Sequence, residues 1–158
     1  MKIAFYSGNG LVDRAVQCFT HGEYSHCAII FHESFSIEAK AKTGVAINVN
    51  PLNPKGYDKI DIYEVPTTFA QDLVIKNFLI RQIGKPYDFP AILGIILHTS
   101  IEGRRAYGKW ICSELVFAGM RKGGVVLLDN VDAWSTTPVS LSKSDKLKLV
   151  DTIYAPML

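Results

Sequence analysis

The sequence predicts an α+β fold, an antiparallel sheet of about five strands with a cysteine-headed helix packed against it. Three observations point there. Short β-rich runs separated by turn residues fill most of the chain up to Pro66. The apolar period then lengthens to that of a helix, and the strongest helix-forming segment opens at a cysteine, Cys112.

The elements follow in order. "KIAFYS" is an apolar and aromatic run ending in Gly8-Asn9-Gly10, a strand and a turn. Leu11, Val12, Ala15, Val16 and Phe19 recur at helical spacing with Asp13 in the first turn, where the helix dipole favours an acid. "SHCAIIFHE" is a strand opening at His26, and "FSIEAKAKTGVAINVN" breaks at Thr43-Gly44 into two more. "DKIDIYEVP" alternates and stops at Pro66, so the strands from His26 onward read as an antiparallel meander. Thr67 or Thr68 caps a helix whose apolar face holds Phe69, Leu73, Ile75, Phe78, Leu79 and Ile83, ending near Gly84. After the turn-rich "GKPYDFP", a second helical stretch runs through Ile92 to Leu97. A polar loop from Thr99 to Gly108 leads into "KWICSELVFAGMRKGG", a helix starting at Cys112 and closed by Gly123 and Gly124. The tail is loop, a short helix and a final strand.

Composition narrows the function classes. At 158 residues the chain fits one domain spanning 1–158, a size that buries roughly two-thirds of its unfolded surface without staples. A net charge of +2 with Lys and Arg scattered among the acids is not a nucleic-acid groove. The most apolar stretch, Phe89 to His98, falls far short of the roughly 20 residues that cross a bilayer. The N-terminus reaches glycine before a signal-peptide core forms, so the expected compartment is the cytoplasm, with delivery by another route left open. Cys18, Cys27 and Cys112 are odd in number and irregular in spacing, which leaves at least one free thiol.

A thiol attacks as its thiolate, and a helix N-terminus next to an imidazolium stabilises that anion. Cys112 has the helix start, whose N–H groups can also hold the oxyanion of an attacked carbonyl. His26, rigid at the head of a strand, is the best base, with Tyr24 and Ser25 before it to shape the pocket. Glu38 on the next strand can orient its ring. Each residue also has an ordinary reading: a buried helix cysteine, a satisfied strand histidine, an outward strand acid. Cys18, His21, His26, Cys27 and His32 invite a zinc assignment. However, Cys18 lies on a helix, and alternation turns Cys27 to the sheet face opposite His26, so no metal is expected. Arg104, Arg105 and Lys109 read as a solvated loop that could attract an anionic substrate.

"YSHCAIIF", "SIEAKAKTGV", "GKPYDF" and "WICSELV", in that order, resemble the circularly permuted NlpC-type papain-like amidases, in the YiiX-like branch related to the lecithin:retinol acyltransferases. There the histidine strand precedes the cysteine helix, as here. The resemblance covers Phe5 to about Leu141. It implies Cys112 as nucleophile, His26 as base, Glu38 as the orienting third residue and Tyr87 as an aromatic near the oxyanion. It implies no cofactor and, first among activities, a cysteine amidase acting on peptidoglycan-type peptides. A lipid acyl hydrolase or acyltransferase, using the apolar Phe89–Leu97 segment, is the alternative; a non-catalytic binding module with a vestigial cleft is the third.

Overall fold

The computed structural model describes residues 1–96 and 108–156. The chain runs β1 (Lys2–Gly8), α1 (Leu11–Thr20), β2 (His26–His32), β3 (Phe35–Lys40), β4 (Gly44–Asn48), β5 (Tyr57–Glu64), α2 (Phe69–Ile80), α3 (Phe89–Ile96), α4 (Cys112–Lys122), a 3-10 turn (Ala133–Ser135), α5 (Pro138–Ser142) and β6 (Lys148–Tyr154). Every described segment that reads as a strand joins one antiparallel sheet of six rather than about five, ordered β4-β3-β2-β1-β5-β6. The meander holds only for β2, β3 and β4. β5 instead crosses back to pair with the free edge of β1, from Lys2 opposite Glu64 to Gly8 opposite Tyr57.

That crossing gives the sheet two differently covered faces. One carries Ile3, Phe5, Cys27, Ile29, Ile37 and Ala39 against the buried stripes of α2 and α4. On the other, Ala4, Tyr6, Ala28, Ile30, Ile60 and Ile62 meet Leu52 of the returning loop, and the Tyr6 hydroxyl donates to the Pro51 carbonyl at 3.1 Å.

Helix faces depart from the expected stripes. Thr68 caps α2 in a reciprocal box with Gln71, but only Ile75 and Leu79 are buried; Phe69 is 85% exposed and Leu73 about half. In α1, Val16 alone is buried and Leu11 is 93% exposed. Periodicity places apolar residues on a common side, but the width of the partner surface sets how many are covered. α3 ends at Ile96 in the described residues. Leu97, His98, Arg104 and Arg105 lie outside them.

α4 is the central helix. It packs on β2, β3 and α2, and Gly119 lets Leu79 and Ile29 approach its backbone. The Ser113 hydroxyl, fully buried, donates to the Thr136 carbonyl at 2.7 Å and ties the start of α4 to the segment before α5. Gly44 opens β4 at φ +67°, where a Cβ would stand 2.3 Å from the Lys85 carbonyl oxygen. Only glycine fits. The close approach allows Val45 N–H to donate to that carbonyl at 2.9 Å and anchors the loop that leads to the site.

Candidate active site

Cys112 is the first residue of α4, preceded by Ile111 in extended conformation. Isoleucine has no side chain that can cap, and the first N–H groups of the helix point toward the cysteine end. The side chain of Cys112 is nearly buried. The Cys27 thiol, the His26 ring and the Cys27 backbone N–H all act on its sulfur. These partners, with the charge of His26, outweigh burial and hold the thiol well below its ordinary range.

His26 stands at the head of β2 opposite Tyr6 of β1, with the two rings 5.1 Å apart. The pairing of Ile29 with Ile37 sets Glu38 diagonally across from His26 on the same face, and Nε2 lies 2.6 Å from Oε2 of Glu38. Burial disfavours the imidazolium. Contact with Cys112 and Glu38 more than offsets this and pushes the ring up to about 9. Burial likewise opposes the Glu38 carboxylate, yet His26 and Lys40 lower it to about 2. Lys40 Nζ is 2.7 Å from Oε1 but off hydrogen-bonding direction, so that contact acts as an ion pair and Oε1 accepts no hydrogen bond.

The structure thus brings Cys112, His26 and Glu38 into one chain of contacts, the three residues the sequence singled out. Tyr87 also falls beside them. It bridges in parallel to Trp110, with Asp88 N–H donating to the Trp110 carbonyl and Trp110 N–H to the Pro86 carbonyl, both at 3.1 Å. Burial first, then the nearby Cys112 and Cys27 sulfurs, raise its hydroxyl above the usual phenol range.

Tyr24 goes elsewhere. Its hydroxyl donates to Asp61 at 2.5 Å and its ring packs on Phe5, which commits it to a network on β5 rather than to the cysteine. Ser25 receives the Gly8 N–H at 3.1 Å and lines a small cleft that ends at Cys112, walled by Val16 and Thr20 of α1, Ile92 of α3, Ile111 and Pro138.

Sequence reasoning missed Cys27 as a neighbour of Cys112. Alternation correctly turned it onto the face opposite Ala28, but that face is the one α4 covers. The signal was present in the strand period, but that period does not tell which helix covers the face.

No family model matches the chain, and neither does any curated protein. Among solved structures, the chain is similar to that of metalloprotein yiiX from Escherichia coli O157:H7, with a TM-score of 0.70 and 18% identity over 98% of this chain and 97% of that one. The likeness is one of fold, and it spans the whole sheet and helix arrangement.

Proposed function

We propose that this chain is a cysteine hydrolase of the circularly permuted, papain-like NlpC type that cleaves an amide bond through a thiolate acyl-enzyme. The observation that carries the reading is Cys112 at a helix start, its thiol lowered by His26, whose Nε2 is held 2.6 Å from a buried carboxylate. With Nε2 engaged by Glu38, Nδ1 of His26 is the nitrogen that exchanges a proton with the thiol. The thiolate attacks the carbonyl carbon, and N–H groups at the start of α4 receive the oxyanion. The His26 imidazolium protonates the departing amine, and water, deprotonated by the same ring, releases the acyl group. Glu38 keeps the ring in one tautomer and stabilises its charge.

The resemblance in sequence makes peptides of the peptidoglycan type the first substrate class to try. A lipid acyl hydrolase or acyltransferase is the second.

The structural neighbour is described as a metalloprotein, and Cys112, His26 and Cys27 are donor types that zinc accepts. Yet among the described residues no group of three or more His, Cys, Asp or Glu side chains is disposed to hold an ion, and His26 and Glu38 are bonded to each other. The residues do not fit a metal, and no step is derived through one.

The test is the pH dependence of iodoacetamide labelling of each cysteine, read by mass spectrometry in the wild type and in His26→Ala. Cys112 is expected to label fast below neutral pH, and slowly without His26. If it labels no faster than Cys18 in either protein, the catalytic reading is replaced by a binding module. Peptide and phospholipid substrates then separate the two hydrolytic readings.

A further inference from the structure

Glu38, His26, Tyr6 and Tyr57 belong to β3, β2, β1 and β5, four strands adjacent in the sheet, and their side chains form one row across it. Glu38 Oε2 lies 2.6 Å from His26 Nε2, the His26 and Tyr6 rings are 5.1 Å apart and the Tyr6 and Tyr57 rings 4.8 Å, both ring pairs tilted at 43°. Tyr6 is the direct partner of His26 in the β1–β2 register. The rest of the apolar core on that face, Ala4, Ala28, Ile30, Ile60 and Ile62, is aliphatic. A face that had only to be buried would need no phenol beside the base.

A hydrogen bond at Nε2 fixes one point of an imidazole and leaves the ring free to swing about it. A second ring packed on the first removes that freedom. Tyr6 is itself firmly held: it is fully buried, Tyr57 packs on it from β5, and its hydroxyl donates to the Pro51 carbonyl at 3.1 Å. Burial first, then the charge of Glu38, raise that phenol well above its ordinary range, so it stays a neutral donor.

We propose that Tyr6 is the positioning residue of the base: braced by Tyr57 and Pro51, its ring holds His26 at the angle that gives Nε2 to Glu38 and leaves Nδ1 for Cys112. The proposal rests on the reading of His26 as the base of a hydrolase. Tyr6 acts through the imidazole and takes no proton itself. The titratable groups that support the imidazolium are Cys112 and Glu38, with Lys40 behind the carboxylate, so a ring that swings loses their support and titrates lower.

The histidine rings of the full chain are titrated by carbon–proton NMR, with His26 assigned from His26→Ala, and Cys112 alkylation is followed across pH in parallel. The wild-type His26 midpoint is expected at about 9. In Tyr6→Leu it should fall by about one pH unit, and Cys112 alkylation at about pH 6.5 should slow roughly tenfold. Tyr6→Phe keeps the ring and should recover most of both. Ile62→Ala, which opens a cavity in the same face, should lower the melting temperature and leave the His26 midpoint in place. Tyr6→Met, unbranched and adaptable, replaces the leucine variant if that one does not fold. A folded Tyr6→Leu or Tyr6→Met with an unmoved His26 midpoint overturns the positioning role and leaves the hydrolase reading intact. Equal shifts in Tyr6→Phe and Tyr6→Leu also overturn it, because they assign the effect to the Pro51 bond instead of the ring. A wild-type Cys112 that alkylates no faster than Cys18 overturns both.

Discussion

Glu38 on β3 and Asp61 on β5 are both buried carboxylates of one sheet, both paired with a lysine and both held below the ordinary acid range, yet in our reading only Glu38 belongs to a reactive site. Asp61 is saturated. Thr152 donates to Oδ1 at 2.6 Å, Tyr24 to Oδ2 at 2.5 Å, and Lys59 lies 2.8 Å from Oδ2. Burial, the Asp61 bond and the Tyr63 contact raise the Tyr24 hydroxyl well above the phenol range, so it stays a fixed donor. Glu38 has one hydrogen bond, and its partner is an imidazole that also touches a thiol. A buried acid surrounded by permanent donors is a rivet; one bonded to a titratable ring transmits charge.

Experiments that break this contrast are ordered by expected size. His26→Ala removes the ring between Glu38 and Cys112 and raises the thiol toward its ordinary range, leaving only the effect of Cys27. Alkylation of Cys112 at about pH 6.5 should fall on the order of a hundredfold. Glu38→Gln keeps the shape and removes the charge, and the same rate should drop roughly tenfold. Asp61→Asn, its counterpart, should leave that rate unchanged and lower the unfolding free energy by about 1–3 kcal/mol, measured by denaturant titration. An Asp61→Asn protein with impaired alkylation would erase the distinction.

The pH dependence sharpens it. Glu38 titrates near 2 when folded against 4.5 when free, so its stabilisation is complete above about 4.5 and disappears as the pH falls toward 2. Melting temperatures across that window should decline less steeply in Glu38→Gln than in the wild type. His26 is shifted the other way, to about 9 from 6.5; its contribution is full below 6.5 and is lost as the pH rises through about 9. Turnover, once a substrate is found, should therefore decline on an alkaline limb near 9, because the imidazolium that protonates the leaving group is gone. The smallest effect belongs to Lys40→Met. This partly exposed partner is expected to change Cys112 alkylation by about twofold, and addition of salt to the wild type should reproduce part of it.

Much of this architecture was legible in the sequence because strand period, turn residues and caps are local. β2 begins at His26 and α4 at Cys112 as read, and the break at Thr43-Gly44 separates β3 from β4. What local pattern does not encode is which edge a strand chooses: β5 alternates equally well beside β4 or β1, and only the sheet as a whole decides. The same limit explains Tyr24. Its place two residues before His26 suggested the site, but the Asp61 that claims it lies on a strand distant in sequence. Cys27 was placed on the right face and its consequence missed, because knowing which helix covers a face requires the packed core.

The chain order of the site also has a consequence during synthesis. His26, Glu38 and the β1–β5 pairing all emerge from the ribosome before Cys112, by several seconds at roughly 5–20 residues per second. The sheet that will tame the thiol has time to assemble first. A reactive sulfur is thereby born onto a waiting scaffold instead of trailing unfolded and open to stray chemistry.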